Sequence, residues 1–405
     1  MTSPIQMQPE VNSRPQADSL GQLEARSQLD REPQVGSQSQ VVTRARRPQY
    51  FPTVYPSLEL SAKFRSAPED FVVHENLGFS PSNNGEHCLI HIEKIGQNTH
   101  WVAEQLALLL KLDSKAVGYC GRKDRHAVTR QWLSIYDPHR NIDFSDELGS
   151  NIGIDGVKLL ETTRHSHKLR PGDHQSNHFY IRLRDVKRLN HSATEDGLVD
   201  DSTNGTEGIG ELLEDSQKPN IINAIKQRFK SGIPNYFGPQ RFGRGGNNLL
   251  AAGNWFEGKQ PPPRKQKSMV MSAARSYLFN KVLAVRIQQN CWASAIDGDV
   301  LIDAYPTAPL WGRGRLTTQV QALELETTAL EGLNDWCHGL EHCGLKQERR
   351  ATVLHPTQVS VTYDDDDLVI AFDLISGAFA TSVLAEVCTL EVAHGVSIEA
   401  SLKSG

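Results

Sequence analysis

The sequence has no Cys-x-x-Cys pair, no Gly-Lys-Ser/Thr phosphate loop and no run of eighteen or more apolar residues. Each absence removes a class of protein. Without a long apolar run, no helix is expected to span a bilayer core. The first residues lack the basic-then-apolar pattern of a secretion signal, so export is not expected and the cytoplasm is the expected location. In that setting the six cysteines (Cys88, Cys120, Cys291, Cys337, Cys343 and Cys388) read as reduced, mostly buried thiols. Cys337, His338, His342 and Cys343 form the one cluster resembling a metal set. Their spacing fits no zinc template, so an ordinary helical segment and no metal are expected. The stretch Gly243-Arg244-Gly245-Gly246 is not Gly-x-Gly-x-x-Gly after an apolar strand, which argues against a dinucleotide cofactor.

Positive charge is also short, with 43 Lys and Arg against 48 Asp and Glu. A net charge of −5 argues against a polyanion binder, because phosphate attraction dominates nucleic-acid affinity. The acids are not evenly spread, however. Residues 189–217 hold eight of them and no Lys or Arg, the pattern of a disordered acidic insertion. Residues 1–48 hold six Arg and five acids among Ser, Gln and Pro, with no apolar periodicity. Such a segment cannot bury enough surface to offset its ordering entropy, so it reads as a disordered extension. What remains is mildly basic and permits RNA binding.

From about residue 60 the pattern is that of a folded chain. Cys88, Ile90 and Ile92 alternate with His87, Leu89 and His91, the period of a strand. Asn98 or Thr99 can cap a helix whose apolar stripe is Val102, Leu106, Leu109 and Leu110. Residues 116–120 and 131–136 read as short strands around a charged turn. In 178–185, Phe179, Ile181 and Leu183 face one way and Tyr180, Arg182 and Arg184 the other. A helix over 221–229 is ended by Gly232, and residues 253–267 read as an exposed connection. Ser272 can cap a long helix through Leu278, Val282 and Ile287. One helix is expected near 327–341, and a strand over 368–372 leads into a helix containing Val383, Leu384 and Val387. Strands and helices without strict alternation indicate an α+β fold.

The most informative stretch is Gly118-Tyr119-Cys120-Gly121-Arg122-Lys123-Asp124-Arg125-His126-Ala127-Val128-Thr129. One carboxylate sits among four potential cations in a turn opened by Gly121. Adjacent cations favour its charged form, which can act as nucleophile or base, and they also attract phosphate. On charge alone a solvated turn is the simpler reading.

The same twelve residues resemble the signature of the TruD family of tRNA pseudouridine synthases. Asn235-Tyr236-Phe237-Gly238-Pro239-Gln240-Arg241-Phe242-Gly243-Arg244-Gly245-Gly246-Asn247-Asn248 is similar to a second hallmark of that family, and Pro68-Glu69-Asp70-Phe71-Val72-Val73-His74-Glu75 to its N-terminal strand motif. The three stand in the family's order, within a match running from about residue 60 to 390. The resemblance implies a mixed-sheet catalytic domain over 60–231 and 355–400, with a family-specific α/β domain inserted at 232–354. It implies Asp124 as the nucleophile, with Phe71, Asn177, Phe179 and Phe379 as substrate contacts. Arg65 stands where a basic partner of the aspartate is expected, at a place where the family often has Lys, and Lys123 belongs to the signature itself. It further implies tRNA as substrate, uridine 13 of the D arm as target, no cofactor, and a monomer without an obligate protein partner.

Each of these residues has a plainer reading. Phe71 and Phe179 fit strand alternation and could be core, Asn177 could open a strand, and Phe379 could pack before a helix. Two other functions also fit the basic turn. A non-catalytic RNA binder would not need Asp124, and a hydrolase would need Asp124 paired with Glu75 or a metal.

Overall fold

The computed structural model describes residues 51–189 and 211–392. The expected N-terminal extension, and residues 190–210 of the acidic insertion, lie outside them.

Eleven strands form one mixed sheet. Its main path runs through β14 (Thr357–Asp364), β15 (Asp367–Ile375), β7 (Ser176–Arg188), β2 (Phe71–Asn76), β5 (Val128–Tyr136), β3 (His87–Ile95) and β6 (Val157–His165). β1 (Leu60–Phe64) pairs with β7 and with β16 (Thr389–Val392), β4 (Val117–Tyr119) pairs with β5, and β8 (Glu211–Leu212) with β7. β2 runs parallel to β5 and antiparallel to β7, so the sheet changes sense at its centre.

Side-chain alternation places the site. On β2 and β7, Phe71, Val73, Phe179, Ile181 and Leu183 point into a core closed by α2 (Lys218–Ser231) and α7 (Ala380–Ala385). On β3 and β5, Ile90, Ile92, Leu133 and Ile135 point into a second core under α1 (Thr99–Leu109). Between these two cores the same alternation presents Glu75 and Asn177, which face each other across β2 and β7.

A third core belongs to residues between two short strands, β9 (Ile233–Pro234) and β13 (Val353–Leu354), which pair antiparallel. Within that stretch α4 (Arg264–Gln288) buries Leu278, Phe279, Val282 and Leu283. Around it pack α3 (Asn247–Phe256), α5 (Val320–Ala329), α6 (Asn334–Glu341) and a small sheet of β10 (Leu301–Ile302), β11 (Tyr305–Leu310) and β12 (Glu348–Ala351).

The fold differs from several expectations. It begins before residue 60. Phe51 stacks on Tyr236 at 5.1 Å, Val54 and Tyr55 donate backbone N–H groups to Glu386, and the Tyr55 hydroxyl donates to the Gly232 carbonyl at 2.7 Å. The acidic stretch ends earlier than 217, because β8 pairs with β7 and Leu213 is buried. Residues 253–267 are not one connection: α3 runs to Phe256, and α4 begins at Arg264 directly after the proline run. Pro263 ends the irregular segment because proline is compatible with a helix start, so Ser272 lies inside α4 instead of capping it. Near the expected helix at 327–341 there are two helices, separated at Leu330–Leu333. Leu109 closes α1 and is 49% exposed, so the apolar stripe reaches only Val102 and Leu106 with Leu110 at its margin. Val387 follows α7 and is buried without being helical.

Candidate active site

The signature turn links β4 to β5, and buried groups pin it from several sides. Lys94, on the inward register of β3, donates its Nζ to the carbonyls of Gln97 at 2.9 Å, Asp124 at 3.0 Å and Lys123 at 3.4 Å. The Lys123 N–H donates to Thr99 Oγ1 at 2.9 Å, and Thr99 in turn donates to Gln131 Oε1 at 2.9 Å. Arg125 Nε donates to the Gly96 carbonyl at 2.8 Å, and Gly96 N–H returns a bond to the Arg125 carbonyl at 3.1 Å. These bonds fix the turn's backbone and leave the Asp124 side chain 44% exposed.

Asp124 Oδ2 accepts from Arg65 Nη2 at 2.6 Å. Arg65 is held from below, its guanidinium 4.1 Å from the centre of the Phe71 ring and 4.9 Å from that of Phe64. Its backbone is left-handed, with φ of 60°, a conformation that costs a non-glycine residue stability and often marks a functional position. Phe71 contacts Phe179 at 5.9 Å between ring centres. Both rings are buried in the β2–β7 core, so one row runs Asp124, Arg65, Phe71, Phe179.

Lys123 turns away from Asp124. Its Nζ donates to Glu75 Oε2 and to Asn177 Oδ1, both at 2.7 Å. Glu75 is fully buried and Lys123 only 6% exposed at the side chain, while Glu75 Oε1 accepts the Trp132 N–H at 3.1 Å. Asn177 Nδ2 lies 3.2 Å from His174 Nε2, and His174 Nδ1 lies 3.5 Å from Ser376 Oγ. Burial, then the nearby Lys123, lowers the His174 pKa and keeps the ring neutral. The Cys120 thiol is pushed up to about 12 by burial and by Glu75, so it is protonated at neutral pH and no competing nucleophile.

Phe379 stands in another cluster. It packs on Phe237 at 5.5 Å and lies under Arg241 at 5.4 Å, in contact with the third core. The Asn-Tyr-Phe-Gly block is therefore a join between cores: Ser382 Oγ on α7 donates to the Tyr236 carbonyl at 2.9 Å, and Thr381 Oγ1 donates to Gln240 at 3.1 Å. A methyl group on Gly238 would come 2.4 Å from Thr381 Oγ1 and 2.7 Å from Gln240 Oε1, so a side chain there would displace both.

Chemically, Asp124 presents an exposed, arginine-held carboxylate beside an aromatic floor, with Oδ1 unengaged among the described residues. Glu75 cannot serve as its acid–base partner, because both its oxygens are committed in a dry setting. The hydrolase alternative thus lacks its second carboxylate. Among the described residues no group of three His, Cys, Asp or Glu could hold a metal ion. Of the cysteine–histidine cluster, Cys337 packs inward while His338 and His342 lie outside. A concavity of about 650 Å³ is lined by Arg313, Arg315 and Lys346 and contains none of the residues around Asp124.

Lys94, Thr99 and His174 were not legible as site residues. Lys94 carried a signal nonetheless: it occupies the register of Ile90 and Ile92, where a lysine must find acceptors inside.

The family model described as tRNA pseudouridine synthase D (TruD) matches residues 54–256. A protein of Cellvibrio japonicus named tRNA pseudouridine synthase D is 44% identical over 342 residues, covering 84% of this chain and 93% of the relative. One of the same name from Aeromonas hydrophila is 38% identical over 361 residues, covering 83% and 93%. A crystal structure from Methanosarcina mazei assigned to tRNA pseudouridine synthase D superposes with a TM-score of 0.56 at 19% identity, over 85% of this chain and 97% of that one, and shows a shared fold. No helix among the described residues is long and apolar enough to cross a membrane. By sequence and by fold, this chain belongs to the TruD family of tRNA pseudouridine synthases.

Proposed function

We propose that the protein isomerises a uridine of tRNA to pseudouridine, with uridine 13 of the D arm as target and Asp124 as nucleophile. One observation carries the reading: the carboxylate of the family signature is exposed, ion-paired to Arg65, and Arg65 is stacked on Phe71.

A uridine inside folded RNA must first leave its stack, at a cost of a few kcal/mol (roughly). Phe71, Phe179 and Phe379 would offer it apolar contact and Asn177 a hydrogen bond. Arg65 holds Asp124 through Oδ2 and keeps the carboxylate aimed. Asp124 then adds to the nucleoside, at C1′ of the ribose or at C6 of the base. The N1–C1′ bond breaks, the uracil turns, C5 bonds to C1′, the bond to Asp124 breaks and returns the free carboxylate, and the C5 proton is lost while N1 gains one. The reaction is redox-neutral and conserves every heavy atom of the nucleotide.

The division proposed is a catalytic domain over 60–231 and 355–400, preceded by the clasp at 51–59, with residues 232–354 inserted through the β9–β13 ladder. RNA would lie between the two, and the protein would act as a monomer in the cytoplasm. The test is incubation of the purified protein with unmodified tRNA, no cofactor being added, and mapping of pseudouridine by position. Modification at uridine 13 is expected. Modification at another site would overturn the target, and none at all would overturn the function.

A further inference from the structure

Two half-buried guanidinium groups have no carboxylate partner among the described residues. Arg350, at the end of β12, lies 4.2 Å from the centre of the Phe237 ring. It donates only to neutral acceptors: the Asn235 carbonyl at 3.3 Å, the Gly377 carbonyl at 3.0 Å and the Asn235 side-chain oxygen. Arg241 lies 5.5 Å from the centre of the same ring and 5.4 Å from that of Phe379. Its Nη1 donates to Ser272 Oγ at 3.1 Å, and its Nε is buried with no acceptor.

Three buried cations of this protein are handled differently, while Lys94 is held by carbonyls alone. Arg286 pairs with Asp299, Arg349 with Glu326 and Lys123 with Glu75. A buried charge is costly unless it is paired, and two like charges around one ring add their repulsion. Burial lowers the pKa of both arginines, and for Arg350 the neighbouring Arg241 adds to it, leaving the group at about 9. A guanidinium is protonated at neutral pH, and neither group has a carboxylate beside it among the described residues.

The pair is wired to the site. Gly377, which accepts from Arg350, follows Ser376, whose Oγ lies 3.5 Å from His174. His174 contacts Asn177, and Asn177 accepts from Lys123, the neighbour of Asp124. Resting on the function proposed above, we infer that Arg241 and Arg350 form an anion site for one phosphodiester of the bound RNA, next to the target uridine. A planar guanidinium fork matches phosphate oxygens, and the phosphate would supply the counter-charge that the fold omits. It would also press the backbone against Phe379, which Arg241 covers.

The test uses the full-length protein and a short unmodified RNA carrying one uncharged methylphosphonate linkage, moved position by position around the target uridine. For the unaltered protein, one linkage is expected to raise KM by about tenfold, the worth of a charge-assisted hydrogen bond. In Arg241→Gln that linkage should add nothing further, while the other linkages cost both proteins alike. Should Arg241→Gln fail to fold, Arg241→Lys keeps a cation but loses the fork, and the penalty at that one linkage should shrink. Equal penalties at every linkage in variant and parent would show a purely structural pair and overturn the inference. Absence of pseudouridine with the unaltered protein would instead overturn the function on which it rests.

Discussion

Around Asp124 each charged side chain has a separate task. Arg65 faces the carboxylate, Lys94 holds the turn's carbonyls, and Lys123 goes inside to Glu75. The Lys123–Glu75 pair is nearly dry, so removing one partner leaves a stranded charge. Glu75→Gln is accordingly expected to lower stability by about 3–5 kcal/mol, read as a shift of the urea midpoint. A midpoint within experimental error of the parent would mean that Lys123 finds another anion. Much of this was legible. Asp124, Phe71, Asn177, Phe179 and Lys123 could be placed from motifs, and the structure brings them together. The direction of Lys123 was not, because adjacency in sequence suggested a cation beside Asp124, while the turn sends the two side chains apart. Phe379 was named as a further contact, yet its rings of contact lie with Phe237 and Arg241, since long-range packing leaves no local pattern.

At the scale of elements, strand alternation was readable and helix limits less so. The face of β7 carrying Phe179, Ile181 and Leu183 is buried as its period indicated, and α2 ends at Gly232. The start of α4 was misjudged because a serine inside the helix looks like a cap, whereas the preceding prolines set the start. The pairing of β9 with β13 joins residues some 120 apart (roughly) and follows from no local signal. Gly232 is the hinge of that join. Its φ of +104° and ψ of 155° suit glycine alone, and a methyl group there would come 2.8 Å from Val353. Gly232→Ala should therefore destabilise the protein by about 1–3 kcal/mol, seen as a lower thermal midpoint. An unchanged midpoint would show that the join relaxes freely.

Over the whole molecule, buried and half-buried histidines tie stability to pH. Burial first, then Arg130, lowers His91 to about 4, and His74, His87, His165 and His174 are also lowered chiefly by burial. The unfolded chain takes up these protons before the folded one does. Stability should thus be fullest above about pH 6.5 and fall as pH drops toward 4. Urea midpoints at pH 7, 6 and 5 check this, and a flat or rising series would contradict it. His91→Gln should flatten part of the slope.

In the molecule as a whole, two cores of one sheet hold an exposed carboxylate, the proposed nucleophile, at their seam. Pseudouridine formation on unmodified tRNA by Asp124→Asn, beside the parent, tests that role most directly. A loss of at least about a thousandfold is expected, with folding midpoint and tRNA affinity nearly unchanged, as removal of a nucleophile requires. A variant that still modifies tRNA at the parent's rate would contradict it.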